Sequence, residues 1–472
     1  MKLISSLLFL GTAATISVSA APTIDQAKEA INKASTFYSE KAAVNGGYVY
    51  YYSLDFARRL GEGVATATEV WIQPPGTPTV GEAFLDAYEA TGNQAHLNAA
   101  LDAGNALLYG QIKSGGWRNS IDFNPSGPRV DLYRNGKGSP KGKDFSTLDD
   151  DITQSALRFL MRIDKALDFK DAAIHEGVEY ATTRLLQAQF PNGAFPQGWT
   201  GPVEARPLKE SRYPDYDWRT EGRIKNYWDQ YTLNDGLAGS VTDTLISAHR
   251  IYEDPKYLSA LGKLGEFLIL AQMPDPQPAW AQQYGPDMQP IWARAFEPPA
   301  ISGRESEDVM IALMKIAEYT GEERFLEPIV SAVKYLESSL LPDGRLARYY
   351  ELETNKPLYM ERDGKAYVLT NDDSNLPSHY GWKNPPQLDL IKQAYRAQLA
   401  GRSAIAVIEP DQIDPEKVDK IVKGLDAEGR WVSEFDGELL VGQPKFQPGE
   451  KYLNSAVFAE NIAALNRFVK AR

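Results

Sequence analysis

Three adjacent acidic residues stand where the sequence predicts the start of a helix. Asp149, Asp150 and Asp151 follow Ser-Thr-Leu and precede an apolar, helix-periodic segment that begins near Ile152. A carboxylate at a helix start accepts backbone N–H bonds and favours the helix dipole. One acid suffices for that, and three adjacent carboxylates repel one another unless a cation neutralises them. Taken alone, the triplet favours a helix cap over a cation site.

The pattern Thr-Leu-x-Asp of this segment returns at residues 231–236, where the sequence is YTLNDG. Two matching acidic starts in neighbouring repeats can face one pocket, and an oxygen-rich pocket of that kind suits Ca²⁺. A softer metal is not favoured, because no His or Cys lies nearby. We therefore expect Ca²⁺ as the cofactor, with Asp149, Asp150 and Asp235 as its ligands.

A third segment carries an arginine between aromatic residues. Arg294 lies in an extended, proline-bounded stretch, residues 292–299 (WARAFEPP), where a guanidinium could be packed and partly desolvated. A structural ion pair with Glu297 is an equally good interpretation. Further along, residues 349–364 read as a short hairpin that ends in an Asp-Gly turn. Lys356 and Arg362 would project from it, although most such charges are merely solvated.

Two further loops have compositions that could bind a sugar. Residues 190–199 (FPNGAFPQGW) form a rigid aromatic loop, and aromatic faces with amide side chains stack on sugar rings, but Trp199 could equally fill the core. The loop of residues 131–144 carries four basic side chains among glycines: Arg134, Lys137, Lys141 and Lys143. We interpret this second loop as solvated in preference to an anion-gathering flap.

The elements that must position these residues are repeated helical hairpins. Two amphipathic runs joined by a short break begin at Gly81 and return at Asp151, Ser240 and Asp308. One such hairpin cannot bury both apolar faces, so the copies must pack side by side. The long, irregular loops favour a ring over an open solenoid.

We predict an all-α fold, an α/α toroid or incomplete α/α barrel of repeated helical hairpins. Long irregular loops and short β-hairpins would form a cleft on one face of the ring. Residues 23–38 should form a helix laid against the ring, and residues 387–400 and 455–470 its last helices. No segment reads as an interdomain linker, so residues 21–472 should form a single catalytic domain.

Composition excludes several classes of function. The chain of 472 residues has no cysteine, which removes disulfides, zinc ribbons, thiol nucleophiles and iron–sulfur ligation. Its 50 Lys and Arg stand against 63 Asp and Glu, a formal charge of −13. Such a protein is a poor binder of nucleic acid or of an anionic membrane through bulk electrostatics. An anionic ligand would need a local cationic site or a metal.

The N-terminus reads as a signal peptide. Lys2 supplies the positive charge, residues 3–14 the apolar segment, and Val-Ser-Ala a small-residue cleavage site that ends at Ala20. We therefore expect residues 1–20 to be removed and the protein to be secreted or periplasmic. After cleavage we expect no membrane association, and a monomer.

Taken in order, these segments resemble the family 10 polysaccharide lyases, the pectic acid lyases of α/α-toroid fold. The matching segments are TLDDDITQ at 147–154, FPNGAFPQ at 190–197, TLND at 232–235, ARAFEPPAISGRES at 293–306, YELETNKPLY at 350–359, RDG at 362–364 and YGW at 380–382. The likeness covers residues 145–385, and seven segments in one order are more specific than any single one.

The resemblance implies β-elimination on polygalacturonate, an acidic polysaccharide of pectin. In the family, the acids that match Asp149 and Asp235 bind Ca²⁺, which bridges to a uronate carboxylate. The arginine that matches Arg294 is proposed to take the C5 proton. Because arginine is almost always protonated in proteins, an alkaline pH optimum is expected. The expected substrate-binding residues are Lys356, Arg362, His379, Trp199 and Asn234.

Two departures from the family pattern bear on the substrate. Family members carry Asp-Asn-Gly where this chain has Asp-Asp-Asp at 149–151, and they place arginines just before Tyr-Gly-Trp, where this chain has residues 376–379 (LPSH). The missing positive charge weakens the prediction of tight polygalacturonate binding more than it weakens the fold or the metal site. Either His379 replaces those arginines, or the substrate is less charged or methyl-esterified.

Two other functions remain open on the sequence. A glycoside hydrolase of the α/α-toroid fold would use Asp149 and Asp235 as catalytic acid and as base or nucleophile, without Ca²⁺. A non-catalytic secreted homologue would keep the groove and bind sugar through Trp199 and Tyr284. The intact segment around Arg294 argues mildly against the second.

Overall fold

Paired helices build most of the structure. The computed structural model describes residues 22–364, 366–378, 380–438, 440 and 446–471, so the predicted signal peptide and His379 lie outside the described residues. In chain order the α-helices are α1 Ile24–Phe37, α2 Thr77–Thr91, α3 Gln94–Gly110, α4 Ile152–Ala166, α5 Ala172–Gln187, α6 Leu237–Tyr252, α7 Pro255–Leu270, α8 Gly303–Thr320, α9 Glu327–Ser338, α10 Leu388–Leu399, α11 Ile405–Ile408, α12 Pro415–Gly424 and α13 Ser455–Lys470.

The helices are arranged as the predicted ring. Helices α2, α4, α6, α8 and α10 pack side by side in that order, and α13 packs against α2. Helices α3, α5 and α7 each follow an inner helix and pack back against it. The α/α toroid predicted from the repeats is therefore confirmed. The three terminal helices agree with prediction to within a residue at each end, and α1 packs on α2 and α13.

Local sequence explains where the paired helices break. Gly92 ends α2 in the left-handed region at φ 69°, which glycine adopts without strain, and the side chain of Asn93 caps α3. Gly321 likewise ends α8 in the left-handed region, at φ 75°. Thr23 and Gln26 form a capping box at the start of α1.

Short antiparallel strands lie at the face where the inner helices begin. They are β1 Tyr51–Ser53, β2 Arg59–Leu60, β3 Glu69–Trp71, β4 Ser120–Asp122, β5 Ser146–Thr147, β6 Gly198–Trp199, β7 Tyr231–Thr232, β8 Gln283–Tyr284, β9 Ile301–Ser302, β10 Leu346–Ala347, β11 Tyr349–Tyr350, β12 Pro357–Asp363, β13 Ala366–Thr370, β14 Lys383–Asn384, β15 Val432–Glu434 and β16 Lys451–Asn454. Strands β5 and β7 directly precede α4 and α6 in the chain, and they pair with β6 and β8. They thereby fix the two acidic segments.

The aromatic residue that follows each hairpin anchors its loop in the core. Trp117, Trp199 and Trp280 are at most 3% exposed. Each indole N–H donates to a backbone carbonyl oxygen at 2.7 to 2.9 Å. A buried indole needs such a partner, so these tryptophans tie the long loops to the ring. Within the described ranges, no helix has the length and apolarity needed to cross a bilayer.

Candidate active site

The starts of α4 and α6 share an unusual backbone. Asp150 and Asp151 before α4, and Asp235 and Gly236 before α6, all have φ between 45° and 68°. Positive φ costs a non-glycine residue about 1 kcal/mol or more. The strain at three aspartates is typical of a site whose geometry matters more than local stability. None of the acids in the triplet caps α4, so the cap interpretation is not realised there.

This backbone brings three carboxylates together. One oxygen from each of Asp149, Asp150 and Asp235 lies within 4.8 Å of the others. Burial raises the pKa of all three acids, and the neighbouring carboxylates add to the rise; the pKa of Asp150 reaches about 6. Asp151 points elsewhere and pairs with Arg158 at 2.5 Å. We refer to Asp149, Asp150 and Asp235 as the acidic cluster.

The acidic cluster fits a hard divalent cation. Its donors are oxygens alone, which Ca²⁺ prefers, and its half-buried negative charge is what a cation would relieve. Each acid is held by one amide. Gln197 donates to Asp149 Oδ1 at 2.7 Å, Gln73 to Asp150 Oδ2 at 2.9 Å, and Asn234 to Asp235 Oδ2 at 2.6 Å. The residues therefore could hold Ca²⁺.

Arg294 lies directly against this cluster. Its Nη2 donates to Asp235 Oδ2 at 3.0 Å, and its Nε to Glu297 Oε1 at 2.9 Å. Burial alone would lower the pKa of Arg294, but the carboxylates of Glu297 and Asp235 outweigh it and raise that pKa above its ordinary value. The structural ion pair with Glu297 that the sequence left open is present, and the pair borders the acidic cluster.

A tyrosine and glutamine network holds Glu297. The Tyr380 hydroxyl donates to Glu297 Oε1 at 3.1 Å and lies 2.8 Å from the Tyr349 hydroxyl. Tyr349 in turn donates to Gln282 Oε1 at 2.7 Å, and Gln282 Nε2 lies 3.3 Å from Glu297 Oε1. Groups from three separate segments of the chain thus hold Glu297, which in turn orients Arg294.

A second guanidinium at the site was missed by the sequence reasoning. Arg348 is 4% exposed, donates to Glu305 Oε1 at 2.8 Å and lies 3.9 Å from Asp235 Oδ1. Its Cζ stands 4.5 Å from the ring centre of Tyr380. The only signal in the sequence was its place directly before the Tyr-Tyr-Glu-Leu-Glu segment.

Asn234 and Trp199 do not fit the substrate-binding role expected of them. Asn234 is 4% exposed; its amide nitrogen holds Asp235, and its oxygen accepts from Gln282, with Arg348 Nη2 at 3.5 Å. Trp199 is 3% exposed, and its indole N–H donates to Ser114. Asn234 therefore positions a carboxylate, and Trp199 fills the core, as the alternative interpretation held.

The two basic residues of the predicted hairpin are both exposed, and contacts relate Arg362 to the site. Arg362 on β12 is exposed, with its Cζ 5.9 Å from the ring centre of Tyr367. That ring contacts Phe296, whose ring centre lies 5.6 Å from the Arg294 Cζ, so Arg362 stands on the Arg294 side of the site. Lys356 is exposed before β12. His379 lies outside the described residues.

An open cleft adjoins the acidic cluster. It has a volume of about 530 Å³, and Asp149 and Gln197 form part of its wall. Tyr227 and Trp228, from a short 3₁₀ turn just before β7, also line it. These two aromatic residues were not predicted, although they precede the second acidic segment by only a few positions.

Comparison with family models gives one match. The sequence model of the family described as "Pectic acid lyase" matches residues 111–347. That range includes the acidic cluster and Arg294 and ends before Lys356 and Arg362. A search of curated proteins finds no match.

Several solved structures are similar to this chain. A family 10 polysaccharide lyase from Cellvibrio cellulosa is 21% identical, with 68% of this chain and 97% of that chain covered and a TM-score of 0.46. A mutant of that lyase, in complex with trigalacturonic acid, is 20% identical, with 68% and 98% covered and a TM-score of 0.46. A sugar epimerase from a ruminal bacterium is 12% identical, with 95% and 98% covered and a TM-score of 0.48.

Proposed function

The chain belongs to the pectic acid lyase family, and on that basis we propose that it is a secreted pectate lyase that cleaves polygalacturonate by β-elimination. The observation that carries the proposal is the position of Arg294. Its guanidinium is held by Glu297 and lies 3.0 Å from Asp235 of the acidic cluster. A candidate base and a candidate cation site therefore share one carboxylate beside an open cleft.

Elimination makes specific demands on the protein. A base removes the C5 proton, and the electron pair of the broken C5–H bond forms the C4–C5 double bond. At the same time the C4–O4 bond breaks, so that O4 leaves and takes a proton from solvent. The C5 proton is acidic only because a carboxylate is attached to C5. Charge develops on that carboxylate in the transition state, and fixed positive groups stabilise it. No water is added across the bond.

We assign these tasks to residues on both sides of the cluster. Arg294 takes the C5 proton, and Glu297 holds its guanidinium in one orientation. Asp149, Asp150 and Asp235 would hold Ca²⁺, which when bound neutralises a uronate carboxylate. Arg362 and Lys356 bind further uronate carboxylates at the rim, and the amides of Gln73, Gln197 and Asn234 keep the acids in place.

The assignment of Arg294 has a cost that predicts its pH dependence. Arginine accepts a proton only in its neutral form, and it is almost always charged. The alkaline optimum expected from the sequence therefore stays a prediction of this proposal. It distinguishes Arg294 from a carboxylate base with an ordinary pKa, which is already deprotonated at neutral pH.

The ultraviolet absorbance of the unsaturated uronate product tests the proposal. Wild type is assayed on polygalacturonate and on methyl-esterified pectin at alkaline pH, with Ca²⁺ and with EDTA, beside Arg294→Ala. The matched control is Arg324→Ala, because Arg324 is also a paired arginine but lies on the exposed surface. We expect absorbance that requires Ca²⁺, is lost in Arg294→Ala and is kept in the control. No absorbance on either substrate would overturn the proposal.

The spacing of the acids bears on the hydrolase alternative. Inverting glycosidases keep their two carboxyl groups about 6.5–9.5 Å apart to admit a water molecule. One oxygen of Asp149 lies within 4.8 Å of one oxygen of Asp235, a spacing that argues against an inverting hydrolase. It does not argue against a retaining one, whose carboxyl groups lie about 5–5.5 Å apart. The sugar-binding alternative would give binding without any product, so the same absorbance assay separates it from the lyase.

A further inference from the structure

The cleft beside the acidic cluster continues into a second one. The first, of about 530 Å³, contains Asp149 in its wall. The second, of about 630 Å³, is lined by Trp71 and by residues of the α3–α4 connection. Arg118 and Lys143 line both clefts. The two therefore form one groove, which we call the α3–α4 groove, and it opens at one end onto the acidic cluster.

The basic side chains of the groove differ in how they are engaged. Arg118 lies 3.3 Å from Asp131, and Arg129 donates to the buried Glu69 at 2.6 Å. Lys141 and Lys143 are exposed, and within the described part of the chain neither amine has a salt-bridge partner. Two cations in this groove are thus available to an anionic ligand.

Four acidic and four basic side chains line the groove, and within the described residues none of the acids forms a salt bridge with Lys141 or Lys143. Besides Asp149, three acids line it, and each has a partner: Asp131 pairs with Arg118 at 3.3 Å, Asp144 accepts the Ser114 backbone N–H at 2.6 Å, and Glu62 accepts from Gln73 at 3.2 Å. An anion that enters the groove therefore meets the free amines without first displacing an ion pair.

An aromatic side chain, Trp228, lines the part of the groove that contains Asp149. Trp228 is half-buried and packs edge-on against Phe145, with ring centres 4.8 Å apart. Trp228, Lys143 and Asp149 line the same cleft. A half-exposed indole beside a cation is the combination that holds an acidic sugar, since the ring covers an apolar sugar face while the cation pairs with its carboxylate.

The loop that carries the lysines is divided into two parts. Arg134 pairs with Glu176 and lies over Tyr180, and Lys137 lies 5.6 Å from the ring centre of Tyr109. Neither residue lines the groove. Of the four basic residues of the loop, Lys141 and Lys143 line the groove. The interpretation of the whole loop as merely solvated therefore fits its first half better than its second.

We propose that the α3–α4 groove is an extended binding site for uronate units beyond the one at the acidic cluster. Lys143 and Lys141 pair with successive carboxylates of the chain, and Trp228 stacks on the sugar next to the cluster. This inference rests on the proposed function for its substrate class. The two lysines also supply positive charge in a chain that lacks the arginines expected just before Tyr380.

Chain-length dependence tests this groove. Rates of unsaturated product are measured on galacturonate oligomers from trimer to hexamer for wild type and for the double variant Lys141→Gln and Lys143→Gln. We expect kcat/KM to fall by about three- to tenfold on the hexamer, with a smaller loss on shorter oligomers. Lys137→Gln is the matched control and should behave as wild type. A loss that is equal at every length, or absent, would overturn the inference.

Direct binding separates failure of the groove from failure of the proposed function. Calorimetry in EDTA compares galacturonate hexamer with a neutral galactose hexamer on wild type, Lys137→Gln, the double variant and Trp228→Ala. If no oligomer yields unsaturated product, the lyase proposal fails, but the groove stands if wild type and Lys137→Gln prefer the charged hexamer, the double variant loses that preference and Trp228→Ala binds both hexamers more weakly. Equal affinity of all variants for the charged hexamer would overturn the groove.

Discussion

Replacing Glu297 by glutamine tests whether Arg294 must be held by a charged partner. Glu297 is 1% exposed, and its two oxygens accept from the Nε and the backbone N–H of Arg294, both at 2.9 Å. Glutamine keeps the size of the side chain and one acceptor oxygen. It removes the charge and places an NH₂ group against one of the two donors, so the guanidinium loses its fixed orientation.

The structure sets the size of the effect. A hydrogen bond to a charged group contributes about 1.5–3 kcal/mol, and about 1.4 kcal/mol corresponds to a factor of ten. Loss of one such bond to Arg294 therefore lowers the rate by roughly 10- to 150-fold. Glu297 is buried and does not line the cleft beside Asp149. The loss should fall on kcat, with KM little changed.

Steady-state assays of the unsaturated product on polygalacturonate measure both constants. The matched control is Glu82→Gln, because Glu82 also pairs with an arginine, Arg162, but the pair lies between α2 and α4. Circular dichroism and thermal unfolding establish that each variant is folded. A folded Glu297→Gln with kcat within twofold of wild type would refute the reasoning, and a loss confined to KM would assign Glu297 to substrate binding instead.

Three further predictions concern the cation site and the buried charges. Asp149→Asn should abolish Ca²⁺ binding in calorimetry, whereas Asp151→Asn should keep it, because Asp151 pairs with an arginine of α4; equal loss in both would contradict the ligand set. Arg348→Met should lower the free energy of unfolding in urea by about 3–5 kcal/mol, because it leaves Glu305 buried and unpaired. Adding Glu305→Gln should restore part of that loss, and strict additivity would argue against the pair. Burial raises the pKa of Glu307 from 4.5 to about 7, so the unfolded chain releases this proton at lower pH than the folded chain does. The free energy of unfolding therefore falls as the pH rises from 4.5 to about 7. Glu307→Gln should remove this fall, which amounts to roughly 3 kcal/mol at about 1.4 kcal/mol per pH unit. If urea unfolding shows the same pH dependence in wild type and in the variant, Glu307 is not the cause.

Much of the fold could be predicted because the sequence of each repeat shows why its helices form, break and pack. Each amphipathic pair has one face to bury, and the Gly92-Asn93 break ends one helix and caps the next. The site could be predicted in part for the same reason. The Thr-Leu-x-Asp pattern occurs twice, and the ring places Asp150 and Asp235 at equivalent helix starts.

The rest depends on contacts between distant parts of the chain. From the sequence alone, a tryptophan in an aromatic loop fits sugar stacking and core packing equally well. The hydrogen bond from Trp199 to Ser114 in the structure shows that this one packs in the core. Arg348 and Gln73 reach the cluster from distant parts of the chain, and the only local signal is the place of Arg348 directly before the Tyr-Tyr-Glu-Leu-Glu segment. The amide of Asn234 could face substrate or its own neighbour, and the local backbone directs it to Asp235.

Cleavage in heavy-oxygen water tests most directly whether this protein eliminates or hydrolyses. Polygalacturonate is digested in that solvent, and the products are analysed by mass spectrometry, with saturated oligomers incubated without enzyme to correct for exchange at the reducing end. Elimination predicts products with an unsaturated end and no solvent oxygen beyond that control. Products that carry one solvent oxygen at each cleaved bond, with no unsaturated end, would contradict the lyase assignment and favour a hydrolase that uses Asp149 and Asp235.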